Sequence, residues 1–186
     1  MKKIATLIFL CIYVSIVWGQ GKKTRIRLDV SPLKVDSMWV SLEDGKTEPQ
    51  KLKPDATGMF EFSTFLERST DGRVSIDNPV KGSIPLYLEP GDDLLIRTDF
   101  KNNTGFSGTG AENAGVLKEL MDLYLANYNK LDATKIPLNV LYEQNEQMNK
   151  ANLDFLDNNK SKVSKSFYDH QRTKFYYEAL GMEVIM

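Results

Sequence analysis

The sequence predicts an α+β fold: an antiparallel β-sandwich or open barrel of six to seven strands, followed by a segment of about three α-helices. Three observations carry this. Residues 24–106 alternate apolar and polar side chains in short runs cut by Gly, Pro and Asp, as half-buried strands do. No helical period separates those runs, so parallel strands joined by crossover helices are not expected. From Ala111 onward there is one proline, Pro137, and two glycines, Gly115 and Gly181, and the apolar spacing becomes helical.

The strands follow in order. Ile26, Leu28 and Val30 alternate with Arg25, Arg27 and Asp29, which places the apolar side chains on one face. Met38, Val40 and Leu42 repeat the pattern after Pro32, and Phe60 and Phe62 after the turn Asp55-Ala56-Thr57-Gly58. Val74 and Ile76 follow Asp71-Gly72, then come Ile84, Leu86 and Leu88, and Leu94 and Ile96 continue beyond Pro90-Gly91. In the helical part, Leu117, Leu120, Met121, Tyr124 and Tyr128 share a face, with Thr109 as N-cap and Glu112 completing a capping box. Asp132 to Ile136 reads as a connection, and Pro137 suits the first turn of a second helix. Leu138, Leu141, Tyr142, Met148, Phe155 and Leu156 mark that helix, and Asp157-Asn158-Asn159 stops it. A third begins near Ser164, with Phe167, Tyr168, Phe175, Tyr176, Ala179 and Leu180 on its apolar face.

The N-terminus has the pattern of a secretory signal peptide over residues 1–19. Lys2 and Lys3 precede an apolar run from Ile4 to Val17, and Val17 and Gly19 stand three and one positions before a cut ahead of Gln20. That run is shorter than the roughly 20 residues a membrane-spanning helix needs. The expected organisation is therefore a signal peptide at 1–19, an antiparallel β domain at 20–108 and a helical segment at 109–186. The protein is expected to be exported to the periplasm or cell envelope, with no stable membrane span after cleavage. Cys11, the only cysteine, lies inside the apolar run rather than at its end, which is not where a lipid-modified cysteine stands. Cleavage removes two of the 24 basic residues and leaves 25 acidic ones, so the net charge falls from −1 to −3. A near-neutral chain without a basic cluster is not expected to bind nucleic acid.

Little in the sequence points to catalysis. His170 is the only histidine and sits in the polar run Tyr168-Asp169-His170-Gln171-Arg172, where an exposed or packing role is expected. One histidine and no mature cysteine cannot build a histidine–cysteine zinc site. Asp92, Asp93 and Asp99 do not follow calcium-loop spacing, and Asp92 is expected to close the turn after Pro90-Gly91. Glu89 with Asp92 or Asp93 could form a carboxylate pair, but turn chemistry explains them. Gly105, Gly108 and Gly110 lack the lysine and spacing of a phosphate loop, so a tight strand-to-helix junction is expected. No catalytic residue, cofactor or metal is assigned. Tyr124, Tyr128, Tyr142, Tyr168, Tyr176 and Tyr177 could line a groove, although helical spacing favours packing.

Three motifs together resemble a known module. They are Asp55-Ala56-Thr57-Gly58-Met59-Phe60-Glu61-Phe62, Pro85-Leu86-Tyr87-Leu88-Glu89-Pro90-Gly91-Asp92, and Phe106-Ser107-Gly108-Thr109-Gly110-Ala111-Glu112-Asn113. As a set they resemble the N-terminal module, a domain of unknown function, of envelope thiol-disulfide oxidoreductases of the TlpA/ResA-like type from Bacteroidetes-like bacteria. In that family a helical segment leads into a thioredoxin-like domain with a Trp-Cys-x-x-Cys motif. This sequence has no Cys-x-x-Cys, so no redox residue carries over and the chain itself is not expected to be an enzyme. The apolar tail Val184-Ile185-Met186 suggests a chain that stops inside a larger structure.

The resemblance implies a non-catalytic exported accessory module whose partner is a protein, either a redox domain or another envelope component. The alternative is a β-sandwich of the cell envelope that binds a small ligand or glycan. Trp39 and Phe65, out of register with Val40 and Phe62, are its expected exposed aromatics.

Overall fold

A computed structural model describes residues 21–31, 33–77, 81–101, 103–128 and 137–183. The expected signal peptide at 1–19, the expected connection at 132–136 and the apolar tail at 184–186 lie outside those residues.

Eight strands precede three helices: β1 (Lys22–Asp29), β2 (Met38–Leu42), β3 (Gln50–Leu52), β4 (Met59–Leu66), β5 (Thr70–Ile76), β6 (Gly82–Leu88), β7 (Asp93–Thr98), β8 (Thr104–Thr109), α1 (Ala111–Tyr128), α2 (Leu138–Asn158) and α3 (Lys165–Glu183). The strands form two open four-stranded sheets, in the orders β4-β1-β7-β8 and β3-β2-β5-β6. The α+β class is as the sequence predicts, and two open sheets make it a sandwich rather than a barrel.

Alternation builds the sandwich. In the first sheet Ile26 lies between Phe62 and Leu94, and Leu28 between Phe60 and Ile96. In the second, Val40, Val74 and Ile84 share one row. These residues are buried and form one core between the sheets.

Two features depart from the expectation. One strand pair, β1 with β7, is parallel. Its connection runs through the second sheet instead of a crossover helix, so no helical period announces it. The two additional strands, β3 and β8, lie at sheet edges. Gln50-Lys51-Leu52 and Thr104-Gly105-Phe106-Ser107-Gly108-Thr109 have little apolar alternation, because backbone pairing to β2 and β7 holds them. The strand region therefore ends at Thr109 rather than 108.

The helices form a second layer. α1 packs on β6, β8 and α2, and α2 packs on α3. Their core joins Val116, Leu117, Leu120, Leu156, Phe167, Tyr168 and Phe175 with Tyr87 of β6. Ala114 of α1 belongs in turn to the sandwich core. Ala111, partly buried, packs against the sandwich core beside it, so each core takes side chains from the other layer.

The expected Thr109 cap does not form. Thr109 pairs with Asp93 at the end of β8, and the Gly110 carbonyl, next along the chain, accepts the Ala114 N–H at 3.0 Å. The third helix begins beside Ser164 as expected, and there Ser164 Oγ accepts the Phe167 N–H at 3.0 Å as an N-cap. Among the described residues no helix is long and apolar enough to cross a membrane.

Candidate binding cleft

The second sheet turns one face into the sandwich and the other toward α1 and α3. Strand alternation assigns Asp71, Arg73 and Ser75 of β5 to that outer face, opposite to buried Val74 and Ile76. The register then sets out three rows. Trp39, Ser75 and Ser83 form one; Ser41, Arg73 and Pro85 the next; Asp71 and Tyr87 the third. Glu43 joins the third row, since its N–H donates to the Asp71 carbonyl at 2.8 Å.

The helices close over the third row. Tyr87 is 1% exposed. Its ring meets Phe167 edge-on at 5.2 Å and lies 5.1 Å from His170. Its hydroxyl is 2.7 Å from Ser166 Oγ. Beyond Tyr87 the helical layer separates from the sheet and leaves a cleft of about 460 Å³. Pro85, Leu86 and Arg73 line its sheet side. Leu117, Leu120, Met121 and Tyr124 line it from α1, and Gln171, Lys174 and Phe175 from α3.

Its charged groups are only partly matched. Asp71 Oδ2 sits 2.9 Å from His170 Nε2 and 3.6 Å from Lys174 Nζ. Arg73 and Glu43 approach to 4.0 Å. The two longer separations exceed hydrogen-bond length, so the ammonium and guanidinium donors are not spent on those carboxylates. Gln171 has the clearest deficit. It is 3% exposed, it lines the cleft, and its Nε2 is buried with no hydrogen-bond partner.

Other residues singled out by sequence have structural work. Asp92 closes the turn as expected: its Oδ2 accepts the Glu89 N–H at 2.8 Å and its N–H donates to the Glu89 carbonyl at 3.1 Å. Burial pushes the Asp92 carboxyl up to about 6, against the lowering effect of the Glu89 N–H. Asp93 holds Arg25 and Arg27, at 2.5 and 3.2 Å. Both its hydrogen bond to Arg25 and these cations keep its carboxyl below the usual range. Asp99 accepts the Lys101 and Asn103 N–H groups in a turn. The three aspartates thus serve separate local structures. Among the described residues no group of three His, Cys, Asp or Glu side chains is placed to hold a metal.

Glu89 ties the strands to the helices. Its carboxylate accepts Ser164 Oγ–H at 2.5 Å, and the Ser164 N–H donates to Asn113 Oδ1 at 3.0 Å. Thr24 Oγ1 donates to the Glu89 carbonyl and accepts from the Gly91 N–H, both at 3.1 Å. The Glu-Pro-Gly-Asp turn is therefore the joint between β1, β7, α1 and α3.

The glycine-rich junction has the tight geometry expected of it. Gly108 has φ of 92°, and a Cβ there would stand 2.1 Å from the Asp93 carbonyl oxygen. A Cβ on Gly110, also at φ 92°, would meet the Asp92 carboxylate at 2.7 Å.

Of the six tyrosines named from sequence, Tyr124 lines the cleft. Tyr168 is buried, with its hydroxyl donating to Asp157 at 2.6 Å, while Tyr128, Tyr176 and Tyr177 are exposed. Trp39 and Phe65 are exposed as expected but lie on different sheets. Only Trp39 belongs to the sheet that floors the cleft. His170 is half-buried against Tyr87, in keeping with a packing role.

Gln171 was not singled out from sequence, although a signal exists. It falls four residues after Phe167 and four before Phe175, on the buried stripe of α3. Arg73 and Lys174 carry no such signal, because each stands in an ordinary polar stretch. No protein-family model, curated protein or solved structure matches this chain.

Proposed function

We propose that this protein is a non-catalytic, exported module of the cell envelope that binds a small ligand in the cleft between the second sheet and helices α1 and α3. The carrying observation is the Gln171 Nε2, a donor buried in the wall of a largely apolar cleft without an acceptor. An unmatched buried amide costs about 1–3 kcal/mol, which a ligand oxygen would offset. The cleft's size falls in the range of small-molecule sites, which run from about 300 to 1,000 Å³. Trp39 extends the same sheet face one row beyond Arg73, where an aromatic platform could take the flat face of a sugar or ring.

The test is a backbone-amide NMR titration of the chain lacking residues 1–19 against a small panel of apolar acids, apolar alcohols and soluble glycans. Shifts that cluster at Gly72, Arg73, Met121 and Gln171 support the reading. An unmoved cleft across the panel removes it.

A second reading has its own observation. Leu125 and Tyr128 on α1, and Tyr176 and Tyr177 on α3, are between 45% and 66% exposed. These side chains suit the accessory role that the resemblance to oxidoreductase N-terminal modules implies, with a redox domain or envelope protein as partner. Loss of binding to an added thioredoxin-like domain on substituting Tyr176 and Tyr177 with serine would favour it.

A further inference from the structure

We infer that the cleft selects an amphipathic carboxylate, an apolar body carrying one anionic oxygen head; the inference rests on the small-ligand reading above. The apolar body is specified by the two walls. On the sheet side Pro85, beside Ser83, faces Leu117, Leu120, Met121 and Phe175 across the cleft, while the Leu86 side chain turns into the sandwich core. A hydroxyl placed against that apolar patch would lose water without gaining a partner there. An alkyl or aryl body loses nothing polar and buries its surface.

The lining carries two carboxylates and two cations, and the head is specified by the donors whose hydrogen-bonding capacity is unspent. Gln171 Nε2 supplies a buried donor without a partner. Lys174 stands 3.6 Å from Asp71, and Arg73 stands 4.0 Å from Glu43, so both cations keep hydrogen-bonding capacity. The acids are less available. Asp71 is engaged by His170 at 2.9 Å and faces Lys174, while Glu43, 62% exposed like Arg73, stands opposite that guanidinium. With the Gln171 amide turned from its buried position into the cleft, a carboxylate can accept from it while it draws on Lys174 and Arg73 at the rim. A neutral alcohol can use the amide but gains nothing from the two cations.

The experiment compares decanoate with decan-1-ol, both below their aggregation concentrations, by calorimetry and amide NMR on the chain lacking residues 1–19. Decanoate is expected to bind at least roughly tenfold more tightly than decanol, the scale of one charge-assisted hydrogen bond. That preference should fall below about threefold in Arg73→Met/Lys174→Met, whose side chains are about half exposed or more and leave both cores intact. Gln171→Leu should weaken both ligands, and Met121→Trp, which fills the cleft, should abolish both. Circular dichroism confirms that each variant is folded, and the rim double variant decides if Gln171→Leu does not fold.

Equal affinity for acid and alcohol, with shifts at the cleft, overturns the carboxylate inference and leaves the cleft as a ligand site. Binding that survives Met121→Trp places the ligand elsewhere and overturns the inference. Absence of binding by either compound also overturns it, and the glycan arm of the panel then decides separately whether the cleft holds any ligand.

Discussion

Asp92 shows how far a single buried side chain can depart from its sequence signature. In the sequence it is a turn residue after Pro-Gly; in the fold it lies 5% exposed between the Glu89 N–H and the start of α1. Its carboxyl titrates at about 6 rather than 3.8 because burial disfavours the charge. The folded state therefore holds this proton more tightly than the unfolded chain. Its contribution to stability is full below pH 4 and is lost as pH rises through 6. After allowance for solvent screening, the effect is on the order of 1–3 kcal/mol. Asp29, Asp44, Asp55, Asp93 and Glu67, held below their usual values, act in the opposite sense and lose stability as pH falls. Asp92→Asn isolates the first effect, since the amide oxygen can still accept from Glu89. Urea melts between pH 4 and 7 should show the variant gaining on wild type as pH rises; parallel curves would remove this assignment.

Ser164 gives a second residue-scale outcome. Its hydroxyl accepts from the Phe167 N–H and donates to Glu89. Ser164→Ala should cost about 1–2 kcal/mol, a helix cap together with the loss of a bond to a carboxylate. Chemical denaturation measures it, and a cost below about 0.5 kcal/mol would mean that water replaces both bonds.

At the scale of elements, legibility follows burial. β1, β2, β4, β5, β6 and β7 face a core, so alternation in their side chains announces them. β3 and β8 bury no residue and are held by backbone pairing, which leaves no mark on side-chain pattern, whereas the other edge strands, β4 and β6, turn buried side chains to a core. The cleft was less legible for a related reason. It exists where one layer lifts off another, a property of neither strand nor helix alone. Gln171 could have been found as a polar residue on an apolar stripe, whereas Arg73 acquires meaning only from its register with Pro85.

Two glycines of β8 separate geometry from composition. Gly105 has open space where a Cβ would stand, while Gly108 has the Asp93 carbonyl oxygen at 2.1 Å and a φ of 92°. Gly105→Ala should be neutral or stabilise by about 0.5 kcal/mol by restricting the unfolded chain. Gly108→Ala should cost more than about 2 kcal/mol, because it combines a forbidden contact with a strained backbone. Hydrogen exchange should show that loss first at the β7–β8 pairing. Equal behaviour of the two variants would mean that the junction relaxes without cost.

The whole molecule turns on how two cores communicate. The sandwich core and the helical core meet through Ala114, Tyr87 and the Glu89–Ser164–Asn113 hydrogen bonds. Tyr87 is the largest of these links: strand β6 supplies it, yet it packs with Phe167, His170 and Ser166 of α3. Removing its ring should cost about 3–5 kcal/mol by cavity formation. Removing its hydroxyl alone, in Tyr87→Phe, should cost about 1 kcal/mol, because exposed Ser166 can turn to water. The two substitutions also differ in cooperativity. In the chain lacking residues 1–19, Trp39 is the sole tryptophan and reports on the second sheet, while far-ultraviolet circular dichroism is dominated by the helices. Both signals should change together on urea denaturation of wild type and Tyr87→Phe, as for a single cooperative unit. In Tyr87→Ala the helical signal should be lost at lower urea than the tryptophan signal, since the helices lose their main apolar anchor and the sandwich keeps its core. If the two signals stay coincident in Tyr87→Ala, the remaining links suffice to couple the layers. The cleft would then be a fixed gap between rigid bodies; separation of the signals would make it a seam whose width follows the docking of α3.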